Sequence, residues 1–513
     1  MPRLTKFKNL HMLSVFNRVF SWASSKNVRK RKILGSNRFK LSMKANSILA
    51  ILFVIIMLFS VFAWLSVGTQ SKPIIVQPVV NDPTATPAPS QQTTNPTQTI
   101  SPSKVQDVNT IFRNIVSSVT DIIATKPPGL IESNSNLTAT VWKTVAANAW
   151  QYFQADIGVD RNTGLPKASL TYPYFTDWDL GVYIQAIIDA NKTGLIGNDG
   201  DWGSNARIEK VLNFLETRQL NTTTSYPFWF YQVSDGKDYH AASDLSANPV
   251  DIVDTGRLFV ALNNLKIFNS NLTMRINNFV YNVNSTANNT RSNYAALVPS
   301  VLNDCKSSLS VYTYYYASGF ASFWPNELAV ATDVILTNIS NAPTTTNGTY
   351  GIPLPKATIS CEPLLCSVFE LNNNPKLTNL TKQVYLAHEA RYNATSQYVA
   401  YSEGNTATGF TYEWVVLPSG QTWVILNSGE TSYSSMNPII YNKVSMSFLA
   451  LYNTSFARNM AIYLEQNLPD SNSGYYAGAD FNTIGSANLV LSIDNNSNGL
   501  ILSASRYAIQ KLS

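Results

Sequence analysis

One stretch constrains this chain before any motif is read. Ile48 to Val67 reads ILAILFVIIMLFSVFAWLSV, 20 residues without a charged side chain. At about 1.5 Å rise per residue such a helix spans about 30 Å, the hydrocarbon thickness of a bilayer. A cleaved leader is the competing reading, but leaders carry an apolar core of about 7–15 residues after a short basic start. Here 44 residues come first and no small-x-small cleavage site follows, so residues 45–67 are expected to be a retained transmembrane signal anchor in contact with membrane lipid.

Charge then orients the span. Residues 1–44 hold twelve Lys or Arg, among them Arg29, Lys30, Arg31 and Lys32, and no acid. The whole chain is +6, so the rest carries −6. Basic residues stay on the cytoplasmic side, which puts residues 1–44 inside and the C-terminal part on the extracellular side of the cell membrane. A basic patch also fits nucleic acid, but this one abuts an apolar span and the main domain is acidic, so no nucleic-acid partner is expected. Twelve N-x-S/T sequons (Asn136, Asn191, Asn221, Asn271, Asn284, Asn288, Asn338, Asn347, Asn379, Asn393, Asn453 and Asn495) all follow the span, as a glycoprotein ectodomain requires.

Beyond the span, residues 68–103 are rich in Pro, Thr, Gln and Ser (NDPTATPAPSQQTTNPTQTISP) and too apolar-poor to fold, so they read as an extended disordered stalk. In the tail, residues 10–23 fit either a basic amphipathic helix on the inner leaflet or a disordered segment. Residues 104–135 read as a helical neck: Val105, Val108, Phe112, Ile115, Val119 and Ile122 form a 3.5-residue seam ended by Pro127 and Pro128. From 136 to 513, apolar residues recur at i, i+3, i+4 and i+7, as in Ile208, Val211, Leu212, Leu215; Leu258, Ala261, Leu262, Leu265; Leu377, Leu380, Val384, Ala387; and Ile501, Ala504, Ala508. Between 397 and 426 the period shortens in YVAYSE and TWVIL, predicting a small β-hairpin insertion. Many helices without βαβ alternation predict a mainly α domain, a helical toroid rather than a Rossmann or TIM architecture.

Common chemistries find no motif. There is no G-x-x-x-x-G-K, no G-x-G-x-x-G, no G-x-S-x-G and no H-E-x-x-H, and the histidines are His11, His240 and His388. No cofactor and no metal site is expected. Cys305, Cys361 and Cys366 are too few and wrongly spaced for zinc; a Cys361–Cys366 disulfide and three buried thiols both remain open.

Carboxylates set among aromatics remain: Asp177-Trp178-Asp179, Asp254, Glu362, Glu403 and Asp480, beside Trp324, Trp414, Tyr475 and Tyr476. Sugar rings stack on aromatic faces, and hydrolysing a glycosidic bond takes two carboxyls, one acid and one base or nucleophile. Asp179, Glu362, Glu403 and Asp480 are the candidate catalytic acids; Asp177, Trp178, Asp254, Trp324, Trp414, Tyr475 and Tyr476 are the candidate substrate contacts. Structural roles compete: Asp179 and Asp254 suit helix caps, Glu362 suits a helix N-terminus, and the aromatic rings suit a core.

These segments carry a resemblance. In order, AWQYF (149–153), NTGLP (162–166), TDWDLG, VDTGRL (253–258), YYYASGFASFW (314–324), CEPLL (361–365), HEARY (388–392), YSEGN with GQTW, NKVSMSFLALYNT (442–454), SGYYAGAD (473–480) and NNSNGLIL (495–502) resemble the domain of unknown function 3131 family. That family is similar to glycoamylase-like and cyclic β-glucan-processing proteins. The resemblance implies a six-hairpin (α/α)6 toroid and a glycan partner. Where the family's Gly-rich loop ends in Tyr-Glu, this chain has Ala479-Asp480, a carboxylate one methylene shorter. The reading is a membrane-anchored extracellular glycoside hydrolase or transglycosylase; the alternative is a non-catalytic glycan-binding or cell-envelope structural protein.

Overall fold

The computed structural model describes residues 130–132, 136–239, 249–283, 292–371, 374–406, 409–428, 430–480 and 489–513. The tail, the apolar run, the stalk and the 104–125 seam lie outside these residues. Among the described residues no helix is long and apolar enough to cross a membrane.

Helices dominate. In chain order they are α1 (Ala139–Trp150), α2 (Asp177–Lys192), α3 (Ser204–Thr217), α4 (Ile252–Phe268), α5 (Thr273–Val280), α6 (Val298–Cys305), α7 (Val311–Ala321), α8 (Pro325–Asn341), α9 (Cys361–Glu370), α10 (Pro375–Thr395), α11 (Asn442–Tyr452), α12 (Ser455–Asn467) and α13 (Asn495–Leu512). Alternate helices form a closed inner ring. α2 packs on α4, α4 on α7, α7 on α9, α9 on α11, α11 on α13, and α13 returns to α2. The intervening helices pack outside it, α3 on α2, α8 on α7, α10 on α9, α12 on α11 and α1 on α13. The toroid expected from the helical stripes is thus present as six inner helices with outer partners.

Sequence pattern sorts the two layers. Outer α3 buries Ile208, Val211, Leu212 and Leu215 along one face, as a surface helix should. Inner α2 is buried continuously from Asp177 to Ala190, so no stripe can stand out. Where α4 meets α7 the backbones touch through glycine. A Cβ on Gly319 would sit 2.0 Å from the Gly256 carbonyl, so neither position tolerates a side chain without separating the helices.

Buried ion pairs cross the ring. Arg257 of α4 pairs with Glu370 of α9, and Arg506 of α13 pairs with Asp189 of α2 at 2.6 Å. Each pair is shielded from water, so losing one partner strands a charge. Cys305, Cys361 and Cys366 are buried free thiols.

Strands are short. β1 (Tyr174–Phe175) pairs with β2 (Tyr231–Gln232), and β3 (Thr344–Thr345) with β4 (Leu354–Pro355). The expected hairpin is a three-stranded sheet, β5 (Glu403–Thr406), β6 (Gly409–Val416) and β7 (Thr422–Asn427), all antiparallel. TWVIL lies in β7, but YVAYSE precedes β5 and shares only Glu403 with it, and β6 is the strand that neither run covered. β8 (Ile439–Tyr441), β9 (Tyr476–Asp480) and β10 (Leu489–Ile493) form a third group with β9 in the middle.

One sequon is spent on the fold. Asn495 opens α13 fully buried, and its side-chain amide donates to the Asp179 carbonyl at 2.8 Å. It is not a glycan acceptor in the folded domain.

Candidate active site

The first turns of the six inner helices and the start of β5 share one polar network. α2 begins with a capping box: Thr176 caps the helix and its backbone N–H donates to Asp179 Oδ2 at 3.0 Å. Trp178 Nε1 donates to Asn496 Oδ1 of α13 at 3.1 Å. The Asn496 amide donates in turn to Glu362 in the first turn of α9. Glu362 also accepts from the Lys443 ammonium at the start of α11 and from Ser402 Oγ at 3.3 Å. Next to Ser402, Glu403 accepts from the Tyr312 hydroxyl at the start of α7. On the other side, Asp254 of α4 accepts from Trp229 Nε1 at 3.0 Å and lies in the field of Asp179.

Helix N-termini favour negative charge, yet three of these carboxyls hold their protons strongly. Burial, then the charge of Glu362, pushes Glu403 up to about 8 against the opposing pull of Lys443. Burial pushes Asp179 up to about 7, opposed by the Thr176 backbone bond. Burial and neighbouring Asp251 raise Asp254 well above the carboxylate range. Lys443 is held charged: burial opposes its proton, but Glu362, Asp494 and Glu403 outweigh burial and raise it. The site therefore pairs groups whose environments place proton donor and acceptor near neutrality. Asp179 is 8% and Glu403 6% exposed, while Glu362 is 0% exposed with both oxygens engaged. Asp251 and Asp254 at the start of α4 are half-buried, the most open acids of the network.

Aromatic rings flank the acids. Tyr412 stacks on Trp414 with centroids 5.9 Å apart, and Tyr312 meets Trp414 edge-on at 5.7 Å. Trp178 packs edge-on against Tyr315 at 5.8 Å.

The remaining candidates make other contacts. Asp177 forms a buried ion pair with Arg218 at 2.5 Å and accepts from Thr255. Trp324 belongs to a cluster with Phe259, Phe320 and Tyr281. Tyr475 is joined through its backbone to Asn498, and the Tyr476 carbonyl accepts from Asn442. Asp480 ends β9 with its backbone opposite Ile439. Among the described residues no group of three His, Cys, Asp or Glu gathers as a metal site.

Lys443, Asn496, Tyr312 and Tyr412 escaped the reading by motif. Lys443 left a signal: a Lys opening a run as apolar as KVSMSFLALY is costly to bury unless a carboxylate meets it.

The family described as Protein of unknown function (DUF3131) matches residues 144–510, and the chain belongs to it. No curated protein matches the chain. Among solved structures, a mutant endo-beta-1,2-glucanase from Talaromyces funiculosus with beta-1,2-glucan is similar over 75% of this chain and 89% of its own, at TM-score 0.53 and 9% identity. The same enzyme with sophorose is similar over 73% and 85%, at TM-score 0.51 and 10% identity. These likenesses concern the fold.

Proposed function

We propose that this chain is a glycan-processing ectodomain that cleaves or transfers glycosidic bonds at the acid network formed by the first turns of the inner helices. One observation carries the reading: Asp179 and Glu403, pushed by burial up to about 7 and about 8, stand in one hydrogen-bonded network that crosses the ring and is lined by aromatic rings. Glu403 is the general acid, because it keeps its proton at neutral pH and can give it to a leaving oxygen. Asp179 is the partner carboxylate, poised to take a proton near pH 7. Glu362 and Lys443 form a buried charge pair in the same network, in which Glu362 favours the Glu403 proton and Lys443 opposes it. Trp178, Tyr312, Tyr412 and Trp414 offer ring faces to the sugar.

A binding role without turnover is the second reading. It is favoured by the way Glu362 is saturated by Lys443, Ser402 and Asn496 and by the capping duty of Asp179.

Residues 45–67 hold this domain outside the cell, with 1–44 cytoplasmic, 68–103 as stalk and 104–135 as neck. The charge asymmetry and the sequons beyond the span support that placement. The test is the full chain incubated with β-1,2-glucan, starch, mixed-linkage β-glucan and polygalacturonate, with detection of new reducing ends. Turnover that Glu403→Gln and Asp179→Asn each abolish sustains the enzyme reading. Binding without turnover on the whole panel sustains the second.

A further inference from the structure

The two-stranded ribbon β1–β2 has its faces reversed from the usual economy. Alternation along a strand sends Phe175 and Tyr231 into the core, both fully buried. On the outward side, beside Gln232, stand Tyr172, Tyr174 and Phe230, where polar residues normally meet water. Tyr239 joins them through a backbone bond to the Phe230 carbonyl at 3.3 Å. The four rings close a circuit: Tyr172–Tyr174 at 5.0 Å, Tyr174–Tyr239 at 4.5 Å, Tyr239–Phe230 at 5.9 Å and Phe230–Tyr172 at 6.3 Å. Tyr172 is 38% and Tyr239 37% exposed, so the circuit opens to solvent.

This patch is continuous with the carboxyl site. Trp229 lies 4.7 Å from Phe230 and donates its indole N–H to Asp254. The chain leaving Tyr174 reaches Thr176, the cap of α2, two residues later, and Asp179 lies within electrostatic range of Tyr172.

We propose that these five rings form a second sugar-binding platform beside the acids, which takes further residues of a neutral polysaccharide, so that the protein engages the interior of a glycan chain rather than a single end sugar. The proposal rests on the glycan reading of the site. A cluster of rings open to solvent suits the apolar C–H faces of a sugar chain, and the Tyr hydroxyls suit its hydroxyls. No Lys or Arg of the described residues stands among the five rings, so the platform holds no cation for the carboxylates of a polyuronate, which selects a neutral polymer.

The experiment is electrophoresis of the full chain through gels containing starch, β-1,2-glucan, mixed-linkage β-glucan or polygalacturonate. The variants are Tyr172→Ser with Tyr239→Ser, and Tyr172→Phe with Tyr239→Phe. Wild type should be retarded by a neutral polymer, the Ser pair should bind it about tenfold more weakly, and the Phe pair should bind as wild type. Equal thermal melting of all three excludes misfolding as the cause. Equal retardation of wild type and the Ser pair overturns the platform while leaving the acid site standing. Retardation only by polygalacturonate overturns the neutral class. No retardation by any polymer overturns the platform, and if no reducing ends form either, the glycan reading falls with it.

Discussion

Replacing Glu403 by Gln tests the acid without knowledge of the substrate. Glu403 is met by Glu362 from α9, Lys443 from α11, Tyr312 from α7 and Tyr412 from β6. Its ordinary value is 4.5 and its folded value is about 8. Between these the folded chain holds a proton that the unfolded chain has released, so stability must fall as pH rises through that window. Linkage puts the loss between pH 4.5 and pH 8 at up to about 4 kcal/mol. Gln mimics the protonated carboxyl and can still accept from Tyr312, and it does not titrate. Groups remote from Glu403 titrate alike in both proteins and cancel in the difference. Urea unfolding of wild type and Glu403→Gln, followed by tryptophan fluorescence at intervals from pH 5 to 9, should therefore give curves that diverge with rising pH, the variant becoming the more stable. Parallel curves would mean that Glu403 is already ionised at neutral pH, and the assignment of the general acid would fail.

Activity should follow a bell, rising through about pH 7 as Asp179 loses its proton and falling above about pH 8 as Glu403 loses its own; Asp179→Asn should lower turnover about 100- to 10,000-fold with little change in melting, read by reducing-end release. Lys443→Met leaves Glu362 buried and unpaired and should cost about 3–5 kcal/mol in unfolding free energy, with much of the loss recovered when Glu362→Gln is added. Asp177→Ala should destabilise by a similar ~3–5 kcal/mol, because it strands buried Arg218. Protease added to intact cells should cut the domain or its stalk and spare residues 1–44; the opposite pattern would reverse the proposed topology.

The outer helices could be read from sequence because one face meets water: the stripes at 208–215 and 377–387 are the buried faces of α3 and α10. Inner α9 hides nearly every face, and only its short motif marked it, whereas inner α4 and α13 still showed stripes at 258–265 and 501–508. The acids were legible as residue types beside tryptophan, but their partners were not. Arg218 reaches Asp177 across 41 residues, Lys443 reaches Glu362 across 81, and Asn496 reaches Glu362 across 134. No local pattern encodes a contact of that range. Trp324 and Trp414 look alike in sequence; only packing puts the first among phenylalanines and the second beside Tyr312.

Closure of the ring by α13 sets a clock on folding. Trp178 and Asn496 are bonded across 318 residues, and Asn495 binds the Asp179 carbonyl across 316. At synthesis rates of about 5–20 residues per second, α2 emerges roughly 15–60 s before the helix that covers it. Throughout that interval the flank of α2 that meets α13 stays uncovered, and the acid cluster lacks Asn495 and Asn496. Contacts of such long range also slow the final search. Assembly of the acid network is therefore a late event, and the growing chain is a client for chaperones until α13 docks.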